Sequence, residues 1–86
     1  MKDIEKEKEL IEIVENISDQ LEKNIQTHIV DLAQAGEWGV GLEDLCNMIF
    51  EYDVKISQQV FNRIENLGVA MSMEKSSWDF IKPLIN

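Results

Sequence analysis

The stretch that most constrains this chain is Gly36-Glu-Trp-Gly-Val-Gly-Leu-Glu-Asp-Leu-Cys-Asn-Met-Ile-Phe-Glu-Tyr-Asp53. Three glycines in six positions (Gly36, Gly39 and Gly41) surround Glu37-Trp38 and then hand over to an amphipathic run. Leu42, Leu45, Cys46, Ile49 and Phe50 recur at helical spacing and define one apolar stripe, with Glu43, Asp44, Asn47 and Glu51 opposite. The pattern places an N-cap at Gly41 and a first turn holding Glu43 and Asp44, where carboxylates suit the positive end of the helix dipole. Val40 and Leu45 have the spacing of a hydrophobic staple around that cap.

The charge also turns one-sided here. Residues 1–24 mix four lysines with eight acids, as a solvated helix does. Residues 25–54 carry six acids (Asp31, Glu37, Glu43, Asp44, Glu51 and Asp53) and neither Lys nor Arg. Residues 55–86 are nearly balanced, and the whole chain stands at −9. Such a balance disfavours nucleic acid or an anionic membrane as partner, because both would repel it. A cationic partner surface is expected instead.

Ile4–Ala35 contains neither proline nor glycine, and Leu10, Val14, Ile17, Leu21, Ile25, His28 and Leu32 follow one helical stripe. One helix of that length would span about 48 Å, too long for a domain of this size unless it projects or pairs. A break near Asn16–Asp19, where cap-forming side chains cluster, is therefore preferred, with a coiled-coil dimer as the rival. Further on, Ser57 reads as the N-cap of a helix burying Val60, Phe61, Ile64 and Leu67. Gly68 reads as its left-handed end, with Val69 folding back on Ile64. Ser76-Ser-Trp-Asp79 has the form of a cap opening a short helix that Pro83 closes. No apolar/polar alternation marks a strand. The expected fold is all-α, a compact bundle of four to five helices forming one domain over residues 1–86.

Chemistry finds little support. One histidine and one cysteine do not make a zinc site, and Cys46 lies within an apolar stripe, where buried thiols are inert packing. His28 reads as packing as well. Glu43, Asn47 and Glu51 spread along a helix line of about 12 Å and cannot converge on one ion. The glycines follow a helix, not a strand, and have no lysine for phosphate. No enzyme activity and no cofactor is expected. No apolar run is long enough to span a membrane, the first residues lack a signal peptide's apolar region, and a lone cysteine suits a reducing compartment, so a cytoplasmic protein is expected.

Gly36-Glu-Trp-Gly-Val-Gly-Leu-Glu-Asp-Leu-Cys46, with Glu51-Tyr-Asp53, Ile56-Ser57 and Ile64-x-x-Leu67, resembles the small helical immunity proteins of the MafI type and the CdiI-like ones of contact-dependent growth inhibition. The likeness covers about residues 25–70. The motif usually carries alanine where this chain has Gly41, which points to an altered cap. The resemblance implies a cytoplasmic, all-helical inhibitor that binds a cognate polymorphic toxin domain, often a nuclease such as a tRNase or DNase. Such nucleases tend to be basic, and an acidic helical protein complements them. The expected toxin-binding residues are Glu37, Trp38, Glu43, Asp44, Asn47, Glu51, Tyr52 and Asp53, on a monomer. Glu37 and Glu43 have a second reading, as acceptors of backbone N–H groups that hold the glycine corner. The other class of function is an acidic helical adaptor or regulatory subunit for a different basic protein, dimeric through the first heptads.

Overall fold

A computed structural model describes all residues, Met1–Asn86. Four α-helices run Asp3–Asn16 (α1), Lys23–Gln34 (α2), Trp38–Glu51 (α3) and Gln58–Ala70 (α4). Single 3₁₀ turns at Ser18–Gln20 and Lys75–Ser77 and a longer 3₁₀ helix at Asp79–Leu84 complete the chain. The result is the all-α bundle expected. Helix α1 packs against the other three, and all of them enclose one contiguous core that includes Leu10, Ile29, Leu45, Ile64 and Ile81.

The Ile4–Ala35 segment breaks where the cap-forming residues cluster, and those side chains serve the end of α1 rather than the start of α2. Asn16 Nδ2 donates to the Glu12 carbonyl at 2.8 Å, and Ser18 Oγ to that of Glu15 at 2.9 Å, one of the carbonyls that the helix end leaves free. Gln26 Nε2 donates to the carbonyls of Ser18 and Leu21. Gln20 exchanges two hydrogen bonds with the Lys55 backbone, 35 residues away. The molecule measures 30 × 27 × 18 Å, so no helix of coiled-coil length exists in it. Restarting the helix changes its phase: Ile29 and Ala33 are buried while His28 turns outward. The sequence expectation of His28 as packing is thereby corrected.

Three helices end in the same device. In a Schellman end, a left-handed residue lets two successive N–H groups reach back to carbonyls of the last turn. After α2 the left-handed residue is Gly36 (φ 79), with Gly36 N–H on the Ala33 carbonyl and Glu37 N–H on that of Leu32. After α3 it is Asp53 (φ 52), with bonds from Asp53 to Phe50 and from Val54 to Ile49. After α4 it is Ser72 (φ 57), with bonds from Ser72 to Val69 and from Met73 to Gly68.

This corrects two expectations about glycine. Gly41 is no cap; it lies buried inside α3, where a Cβ would come within 2.8 Å of Leu10 Cδ2. The Val40–Leu45 staple therefore does not form, and Val40 is exposed. Gly68 does not end α4; it is buried within the helix, facing the Trp78 ring. Val69 points to solvent instead of folding back on Ile64. Ser57 does cap α4, its Oγ accepting from Val60 N–H at 3.0 Å, and the expected face of Val60, Phe61, Ile64 and Leu67 is buried.

The tail departs from the α-helix read at Ser76–Asp79. It is 3₁₀, without a side-chain cap, and Pro83 lies inside it. A 3₁₀ helix repeats every three residues, so Trp78, Ile81 and Leu84 align on one buried edge. The tail then meets the α3–α4 connector. Ile56 N–H donates to the Leu84 carbonyl and Asn86 N–H to that of Ile56, an isolated parallel bridge between Ile56 and Ile85. No strand extends from it. Helix α4 is pinned to α1 by Arg63, which donates two hydrogen bonds to Glu9 and one to Glu12.

Candidate interaction surface

The expected site residues all lie along or next to α3, but they do not share one face. Helical geometry turns each residue by about 100° and raises it about 1.5 Å. Glu43, Asn47 and Glu51 fall on one outward row, and all three are exposed. Asp44, half-buried at the edge of that row, is held by a second helix: His28 Nε2 on α2 lies 2.9 Å from Asp44 Oδ2. Asp44 therefore has a structural duty as well as a charge.

Trp38 is nine residues before Asn47, which puts it about half a turn around the helix, toward the bundle. It is half-buried; its indole N–H donates to the Ala33 carbonyl at 3.0 Å, and Lys6 Nζ sits 5.3 Å from the ring centroid. That carbonyl also accepts Gly36 N–H. The Gly36-Glu-Trp corner is thus fastened by one acceptor shared between backbone and indole. Glu37 is exposed and its carboxylate takes no hydrogen bond; its backbone carbonyl accepts Gly41 N–H. Neither Glu37 nor Glu43 holds the corner by accepting backbone N–H groups, so that reading is corrected.

At the other end, Tyr52 is exposed but lies about 140° around from Asn47, off the acidic row. Asp53 is occupied in the left-handed turn, with both carboxylate oxygens 3.2 Å from Lys55 Nζ. Glu37 and Asp53 are separated by about 24 Å along the helix direction, so one compact contact cannot include both. The structure gathers Glu43, Asn47 and Glu51, with Asp44 at their edge, and separates Trp38, Tyr52 and Asp53 from them.

The electrostatics of the row follow from what is missing around it. Of the six acids in residues 25–54, only Asp44 and Asp53 have a basic partner; Asp31, Glu37, Glu43 and Glu51 have none. Glu43 also acts inward. Burial first, and then the Glu43 charge, push the Cys46 thiol up to about 12, which keeps it protonated and inert, as its place in the stripe implies.

One residue of this surface escaped sequence reasoning. Phe50 is expected on the apolar stripe, but it lies about 20° around the helix from Glu43, at the edge of that stripe, and is 59% exposed. Its ring meets Phe80 of the tail edge-on, with centroids 5.7 Å apart and planes at 71°. Phe80 is half-buried and packs against the core. Nothing in a helical pattern signals this pair, because the tail's path across α3 is a tertiary fact. Comparison with family profiles, curated proteins and solved structures finds no match for this chain.

Proposed function

We propose that this chain is an immunity-type inhibitor, which binds a cognate basic toxin domain through the outward face of α3 and blocks it. The observation that carries the reading is the exposed row of Glu43, Asn47 and Glu51, in which the two carboxylates make no ion pair within their own chain. Unrelieved like charge costs folding stability, and a cationic partner removes that cost while being steered onto the surface. The motif resemblance of Gly36–Cys46 supplies the class of partner, a toxin domain of nuclease type, with the inhibitor acting in the cytoplasm as a monomer. The adaptor reading loses its dimer argument, since the heptad-like segment is broken at Ile17–Glu22.

The test is co-expression with the toxin domain encoded beside this chain, followed by growth rescue and stopped-flow association at low and high salt. A complex that restores growth and associates more slowly as salt rises is expected. Reversing charge at Glu43 and Glu51 together should slow association further. These positions are preferable to Asp44, where a substitution would also break the bond to His28. Absence of both rescue and complex would overturn the proposal.

A further inference from the structure

We infer that Phe50 and Phe80 form the anchor of the α3 surface, and that the anchor receives an arginine-bearing face of a folded protein; this rests on the toxin-binding reading above. The ring of Phe50 stands out from the molecule at 59% exposure, and Phe80, packed on the core, fixes it from one side. A rigid aromatic of this kind binds at little entropic cost, which is what interface anchors require. Its neighbours are polar in a particular way. Asn47 is one turn before Phe50, Glu43 two turns before it on the same line, and Glu51 next in the chain.

An aromatic ring set between carboxylates selects among cations. A guanidinium is planar, weakly hydrated, stacks on rings and pairs with carboxylate in a two-pronged fashion, whereas an ammonium holds its water more tightly. No cation of the chain itself competes for the place. His28 is engaged by Asp44 and Lys55 by Asp53, while Lys75 and Lys82, flanking Phe80 in sequence, both reach Asp79. A second copy of this chain does not fit, because a two-fold contact centred here would set Glu43 and Glu51 against themselves. An anionic lipid surface would be repelled.

The experiment compares Phe50→Ala with Val69→Ala, another exposed apolar residue, on α4 (62% exposed). Binding of the neighbouring toxin domain is measured as association and dissociation rates across a salt series. Phe50→Ala loses the edge-on contact with Phe80 and should lower the melting temperature by several degrees while staying folded. It should weaken binding by about 30-fold, almost wholly through faster dissociation, with the salt slope of association unchanged. Glu43→Gln with Glu51→Gln should lower that slope instead, and Val69→Ala should change neither. Wild-type affinity in Phe50→Ala overturns the anchor while leaving the toxin-binding reading intact. Where the wild-type chain itself fails to bind the domain, that reading falls, and NMR titration with arginine and lysine homopeptides of equal length decides the anchor. Shifts centred on Asn47, Phe50 and Phe80 and larger with arginine are expected. Equal shifts with both peptides, or shifts elsewhere, overturn it.

Discussion

The ring of Trp78 occupies the space that a side chain at position 68 would need: a Cβ built on Gly68 falls 2.6 Å from Trp78 Cε3. The ring is rigid and buried, so it has nowhere to go. Gly68→Ala should therefore destabilise the protein by about 2 kcal/mol despite alanine's better helix propensity, lowering the melting temperature by about 10 °C. Gly41→Ala makes the control. Its Cβ crowds the end of the Leu10 side chain, which can shift, and makes an ordinary contact with Leu32 Cβ at 3.5 Å, so the propensity gain offsets the crowding to within about 1 kcal/mol. Thermal unfolding followed by circular dichroism compares the two; a Gly68→Ala variant as stable as wild type would refute the packing argument.

These two glycines show what sequence patterning can and cannot supply. Leu42, Leu45, Cys46 and Ile49 on α3, and Val60, Phe61, Ile64 and Leu67 on α4, are legible because burial on a helix repeats with the helix. A glycine reads as an end or a cap because that is its commonest local use. At Gly41 and Gly68 the cause is a close approach of Leu10 and Trp78, 31 and 10 residues away in the chain, which no local rule contains. The same holds for the surface: the acidic row is legible, and helix geometry sets Phe50 only about 20° from Glu43, at the edge of the apolar stripe, whereas its meeting with Phe80 is a tertiary contact that no spacing contains.

Ser72 and Asp53 adopt the left-handed conformation that costs an L-residue energy and costs glycine none. Ser72→Gly should stabilise the fold by about 0.5–1 kcal/mol, a rise of a few degrees in melting temperature. Asp53→Gly should gain less, since it forfeits the contact with Lys55. A loss of stability in Ser72→Gly would contradict the assigned helix end.

Arg63 holds Glu9 by bonds of 2.6 and 2.9 Å and Glu12 by one of 2.9 Å. The Arg63 hydrogen bonds keep the Glu9 carboxyl below its ordinary value of 4.5; desolvation opposes them and charge attraction adds to them. A carboxyl lowered in the folded state stabilises fully above its unfolded value, and that contribution disappears as pH falls through the folded value. Arg63→Ala should thus cost about 1–2 kcal/mol near pH 7, trimmed by the partial exposure of the pair. The deficit relative to wild type should shrink as pH drops below about 4.5. Urea denaturation of both proteins across pH measures it; a deficit independent of pH would assign the loss to packing alone.

Cys46, fully buried with its thiol pushed up to about 12, should resist a disulfide reagent at pH 8 in the folded protein. In guanidinium it should react at once. Ready labelling of the native protein would mean that α3 opens locally far more often than its packing suggests.

The 3₁₀ step that aligns Trp78, Ile81 and Leu84 has a thermodynamic corollary. A helix of this kind has poorer hydrogen bonds than an α-helix and no propensity to persist alone, so its shape is borrowed from the groove that receives it. Trp78 is one of only two tryptophans, and the other, Trp38, reports on the α2–α3 corner. The chain therefore carries two built-in optical probes of separate regions. Coincident fluorescence transitions at both would mark the bundle as a single cooperative unit, whereas an earlier change at Trp78 would mark the tail as a separable layer that unfastens while the four helices stand.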